Sequence, residues 1–84
     1  MSSPNLQVSC TLADLAVGQA GLVERLELPE ADSRRLMEMG FLPGTEVRLS
    51  RKTPFGDPSI YRIDDAHIGL RRETALLIHV RRVG

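Results

Sequence analysis

Residues 34–47 read Arg34-Arg35-Leu36-Met37-Glu38-Met39-Gly40-Phe41-Leu42-Pro43-Gly44-Thr45-Glu46-Val47. Their order predicts a helical turn, a glycine stop, a proline–glycine corner and the start of a strand. Leu36 and Met39 stand three apart, the spacing that puts two side chains on one helix face. Gly40 follows directly, where a left-handed cap residue without a Cβ is favoured. Pro43 fixes its own φ, and Gly44 can take the positive φ of a type II turn. Val47 and Leu49 then alternate with Glu46, Arg48 and Ser50, the period of a half-buried strand. A helix delivered into a strand through so tight a corner packs one element against the other.

On the N-terminal side, Thr11 caps a short turn through Leu12 to Leu15 that ends at Gly18, with Leu12 and Leu15 facing the core. Ala20 to Leu28 reads as a first strand with Leu22, Leu26 and Leu28 on one side, interrupted there by Glu24. Pro29 breaks that strand and is tolerated at a helix start. The helix is expected over Glu30 to Met39, with Glu30 and Asp32 at the positive end of its dipole. On the C-terminal side, strand two covers Thr45 to Lys52, and Thr53 to Pro58 is a loop with two prolines and a glycine. Strand three is Ser59 to Ile63, Asp64-Asp65 is a turn, and strand four is centred on His67 to Leu70. A helical turn at Arg72 to Leu76 leads into a last strand, Leu77 to Arg82. Five short strands with a helix between the first two predict a mainly β fold, a small and partly open antiparallel barrel. Residues 1–10 are polar, hold Pro4 and read as a flexible arm, so residues 11–84 form the single domain.

Three blocks of this chain resemble the FeoA family, small cytoplasmic proteins that accompany the membrane transporter FeoB in bacterial ferrous iron uptake. In the first block an arginine at 34 or 35 precedes Leu36, Met39, Gly40, Phe41, Pro43, Gly44 and Val47. Thr53-Pro54-Phe55-Gly56-Asp57-Pro58 is similar to the family's Pro-x-Gly-Asp-Pro loop. Ile68-Gly69-Leu70-Arg71-Arg72-Glu73-Thr74-Ala75, followed by Ile78 and Val80, is similar to its closing segment. Gly69 stands where the family often has alanine, and Asp64-Asp65 replaces a more usual glycine turn. The resemblance runs from about Leu12 to Val80. It implies a five-stranded SH3-like barrel with the helical insertion between its first two strands.

Size and composition narrow the function. A chain of 84 residues buries only roughly 60% or a little more of its unfolded surface, so a large internal cavity is not expected. Eleven basic residues against eleven acidic ones give no net charge, which argues against a protein built to grip nucleic acid. The same neutrality leaves weak self-association open. Cys10 is the single cysteine, so no internal disulfide forms and a reducing cytosol is the simplest compartment. The longest apolar run, Ala75 to Ile78, falls far short of the ~20 residues that span a bilayer. Met1 to Cys10 lacks the basic start and apolar stretch of a signal peptide. The expected location is cytoplasmic, without direct membrane insertion.

Reactive groups are sparse. There is no His-Glu-x-x-His, Cys-x-x-Cys or Gly-x-Ser-x-Gly, and Gly40 to Thr45 lacks the lysine of a phosphate loop. No catalytic residue and no cofactor is expected. Cys10, His67, His79, Met37 and Met39 are the soft or borderline metal donors. No four-ligand set emerges from their spacing, so no metal site is assigned within one subunit. His79, between Ile78 and Val80, points away from the core. The arginine pairs 34–35, 71–72 and 81–82 diverge on helix or strand, and they read first as solvated faces beside Glu30, Glu38 and Glu73.

The remaining candidates are apolar side chains in exposed places. Leu42 and Phe55 lie in turn or loop segments, and Met37 lies on the helix flank away from Leu36 and Met39. Exposed together, they would form a docking patch. Arg34, Met37, Leu42 and Phe55 are therefore the expected partner-binding residues, with Arg34 on the rim. The resemblance implies the partner, the cytoplasmic part of the GTPase transporter FeoB, and a non-catalytic role in modulating it. Two other readings stay open. One is a sensor or chaperone binding Fe(II) or Zn(II) through His67 or His79. The other is a module like the SH3-like tail of iron-dependent repressors, for whose DNA-binding domain this length leaves no room.

Overall fold

The computed structural model describes residues 8–83. Six strands form one antiparallel sheet: β1 (Val8–Thr11), β2 (Ala20–Leu26), β3 (Glu46–Lys52), β4 (Ser59–Ile63), β5 (Ala66–Leu70) and β6 (Ile78–Val83). Their order is β1-β6-β2-β3-β4-β5. Helix α1 (Glu30–Glu38) joins β2 to β3, helix α2 (Arg72–Ala75) joins β5 to β6, and a 3₁₀ turn occupies Leu12–Asp14. The mainly β architecture and the position of the helical insertion agree with the sequence reading, but there is one strand more than expected. β1 begins inside the stretch read as an arm, with Val8 to Thr11 paired to Arg82 to His79. Residues 1–7 of that expected arm lie outside the described residues. Ser9 and Thr11 carry no apolar signal, and the strand's partner stands at the other end of the chain, so nothing local announces it. β1 and β5 remain as the two edges, which leaves the sheet open.

The decisive corner is built as its residues dictate. After α1, Met39 closes the helix and Gly40 takes a φ of +111°. The Gly40 N–H donates to the Met37 carbonyl at 3.0 Å, and the Phe41 N–H donates to the Leu36 carbonyl at 3.1 Å. These two bonds form a Schellman cap, and its apolar pair Leu36 and Phe41 is buried. The Thr45 N–H then reaches the Leu42 carbonyl at 2.9 Å, with Gly44 at φ +88°. This is the type II turn that Pro43-Gly44 predicts. At the other end of α1 the Ser33 hydroxyl donates to the Leu28 carbonyl at 3.1 Å, tying the helix to the chain that enters it.

The core gathers Leu12, Leu15, Val23, Leu36, Phe41, Val47, Leu49, Tyr61, Ile63, Leu70, Ala75, Ile78 and Val80. Fully burying a side chain such as Phe41 stabilises by about 1.5–3 kcal/mol relative to leaving it in water. β2 differs from its expected alternation. Val23, not Leu22, points inward, and the pairing with β6 shifts register between Val23 and Arg25. That bulge inserts one residue and flips the pattern, so Leu26 packs on the core opposite Ile78. Glu24 thereby falls on the outer face and accepts the Arg81 Nε–H at 3.3 Å. It interrupts nothing.

Candidate functional site

Three of the four expected contact residues lie on α1 or in the turn that follows it. Arg34 and Met37 are three apart on the same helix face. Met37 is 39% exposed, and its carbonyl anchors the Gly40 N–H. Leu42, two residues past Gly40, is 48% exposed at the corner of the type II turn. The Arg34 guanidinium lies 3.4 Å from the Glu30 carboxylate one turn earlier, an exposed pair that contributes at most about 0.5 kcal/mol. Phe55 is 96% exposed, but it stands apart. Leu42 precedes β3 and Phe55 follows it, and seven residues of strand place the two ends roughly 20 Å apart. The expected single patch is two surfaces, one at each end of β3.

A groove of about 290 Å³ runs beside α1, lined by Leu28, Asp32, Arg35, Leu36, Met39 and Leu70 together with Thr74. Met39, expected on the core face with Leu36, is exposed at its rim. Leu76 and Leu77, in the turn after α2, are exposed as well. The sequence reading did not mark this groove. The exposure of Leu76 and Leu77 did have a signal, the run Ala75 to Ile78: four successive apolar residues on a short turn cannot all face inward, and only Ala75 and Ile78 do.

The titratable groups are dispersed. Among the described residues no three His, Cys, Asp or Glu side chains converge as metal donors. His79 lies on the outer face as its neighbours predict, and its Nε2 contacts the Glu27 carboxylate. His67 is exposed in the edge strand β5. Burial, and next to it the Asp14 carboxylate, push the Cys10 thiol up from its ordinary value, so it stays protonated and weakly nucleophilic at neutral pH. The Tyr61 hydroxyl donates to the Leu12 carbonyl at 3.2 Å in the core, and burial raises its pKa too. No described helix is long and apolar enough to cross a membrane.

The geometry is that of a small scaffold presenting apolar side chains, and known proteins share both its sequence and its shape. A fusion protein of Porphyromonas gingivalis, an Fe(2+) transport protein A joined to the Fe(2+) transporter FeoB, is 36% identical over 69 residues. That match covers 82% of this chain, which spans only 8% of the fusion protein's length. The solution structure of the FeoA protein from Chlorobium tepidum superposes with a TM-score of 0.83 at 28% identity, covering 88% of this chain and 70% of that one. The zinc-complexed FeoA of Stenotrophomonas maltophilia, described as a prokaryotic SH3 domain protein, gives 0.72 at 32% identity over 83% and 87% of the two chains. The family model for the FeoA domain matches residues 10–82. This chain belongs to the FeoA family.

Proposed function

We propose that this chain is a non-catalytic cytoplasmic accessory protein of ferrous iron uptake that docks onto the cytoplasmic part of a FeoB-type transporter and modulates it. One observation carries the reading: a 36% identical segment is covalently joined to FeoB in the Porphyromonas gingivalis fusion protein. Covalent joining raises the effective concentration of a partner that must otherwise find its target. Arg34, Met37 and Leu42 make the main contact from the end of α1, with the Arg34 charge on the rim. Phe55, at the other end of β3, lies outside that main contact. Modulation requires that one state of the transporter be bound more tightly than another.

Calorimetric titration of the protein into the transporter's cytoplasmic domain tests this, run with GDP, with a GTP analogue and without nucleotide. Saturable binding that changes with nucleotide is the expected result. No binding in any state to a folded, nucleotide-competent domain would sink the reading.

A further inference from the structure

The end of the fold that carries Phe55 is aromatic and basic at once. The Gly56 N–H donates to the Thr53 carbonyl at 2.8 Å, closing a turn whose corner is Pro54-Phe55. The Asp57 carboxylate accepts the Arg72 backbone N–H at 2.8 Å, pinning the turn to the start of α2. A held turn therefore presents the ring, rather than a loose loop. Lys52 pairs with Ser59, and Ser59 with Leu70, so Arg51 and Lys52 flank one side of the turn while Arg71 and Arg72 flank the other.

None of these four side chains forms an ion pair among the described residues, whereas Arg25, Arg34, Arg48 and Arg81 all do. The nearby carboxylates are held by neutral donors and keep their charge: Asp57 accepts the Arg72 backbone N–H, and Asp14 accepts the Thr11 N–H and hydroxyl. Glu73 in the short helix α2 is a third acid, so the four basic side chains exceed the nearby carboxylates by one. Beneath the turn, a recess bounded by Leu15, Lys52, Gly56, Tyr61 and Arg72 holds about 30 Å³, room for a water molecule and no side chain. Leu15 leads within two residues to Val17, a second exposed apolar side chain.

We infer that this end of the domain rests on an anionic phospholipid surface, with Phe55 entering the headgroup layer and the long basic side chains at its base, from Arg51-Lys52 and Arg71-Arg72, reaching from either side toward the lipid phosphates. A single aromatic tip inside a basic ring matches the two forces that hold peripheral proteins, apolar burial and attraction to negative headgroups. The contact is peripheral and needs no spanning segment. It stands independently of the transporter reading, since vesicles alone test it.

The chain has no tryptophan, so F55W places a single reporter on an exposed corner where the fold does not depend on it. Its emission is recorded with vesicles of phosphatidylcholine and with vesicles containing an equal part of phosphatidylglycerol, at low and high salt. Co-sedimentation of the unmodified chain runs in parallel. The expected result is a blue shift and co-sedimentation on the anionic vesicles only, both reversed by salt. Removing basic side chains in an Arg51→Gln, Lys52→Gln variant should weaken binding about fivefold per residue. Absence of both signals on anionic vesicles at low salt overturns the inference, as does equal binding to neutral vesicles. A shift with the transporter's soluble domain and none with vesicles also overturns it, and assigns the tip to a protein contact instead.

Discussion

The Asp57 carboxylate receives the backbone N–H of Arg72 at 2.8 Å, fifteen residues along the chain. It caps a helix whose own N-cap residue, Arg71, has no side-chain acceptor to offer. The loop after β3 and the segment after β5 are thereby one unit, although each looks like an independent turn. Asp57→Ala should cost about 0.5–2 kcal/mol, the usual loss when a capping acceptor is removed. Asp57→Asn, which keeps an acceptor oxygen, should lose less. Chemical denaturation of the two variants checks the order, and equal losses would mean that the bond contributes nothing.

Tyr61 joins the sheet to the N-terminal 3₁₀ turn through its hydroxyl bond to the Leu12 carbonyl. Tyr61→Phe removes that bond but leaves the Leu12 carbonyl its second donor, the Leu15 N–H at 3.2 Å, so the loss should be about 0.5–1.5 kcal/mol. Burial raises the Tyr61 pKa above its value of 10.0 in water, so folding favours the protonated phenol. The stability this contributes is complete below pH 10 and is lost as pH rises through the higher folded-state value. Denaturation midpoints followed upward from neutral pH should therefore fall more steeply above pH 10 for the unmodified chain than for Tyr61→Phe.

Gly21 is a packing glycine. A Cβ built on it would meet Val80 Cγ2 at 2.8 Å and Val80 Cβ at 2.9 Å, and a β-branched strand residue cannot swing away. Gly21→Ala should destabilise by roughly 1–3 kcal/mol, the range for overpacking a core. The thermal midpoint measures it, and since Val80→Ala removes the clashing Cγ2 while keeping Cβ, the double variant should lose less than the sum of the two single losses. Strict additivity would place the strain elsewhere.

Much of this was legible because the relevant physics is local. Gly40 and Gly44 take the positive φ values that their places after a helix and after a proline demand. Leu36 and Phe41 are buried because the cap brings them together. What escaped was non-local. The β2 bulge at Val23–Arg25 is set by register against β6, and no alternation count along β2 alone reveals an inserted residue. The exposure of Phe55 and Leu42 followed from their turns, but their separation depends on how β3 is laid between them. Met39 looked like a core residue by spacing and proved to be the rim of a groove that only the packing of α1 near Leu70 creates.

The two surfaces at the ends of β3 should separate in one experiment. Met37 and Leu42 flank the same helix cap, so the Met37→Ala, Leu42→Ala double variant should lower affinity for the transporter's isolated cytoplasmic domain by about tenfold or more. Both side chains are exposed, and stability should change by less than about 0.5 kcal/mol. Phe55→Ala should leave that titration unchanged and weaken binding only when the transporter sits in an anionic bilayer. The distance between the sites makes the two effects additive there. If Phe55→Ala weakens binding to the isolated domain as strongly as the double variant does, the two ends serve one protein interface. The ring would then be a contact with the transporter rather than with lipid.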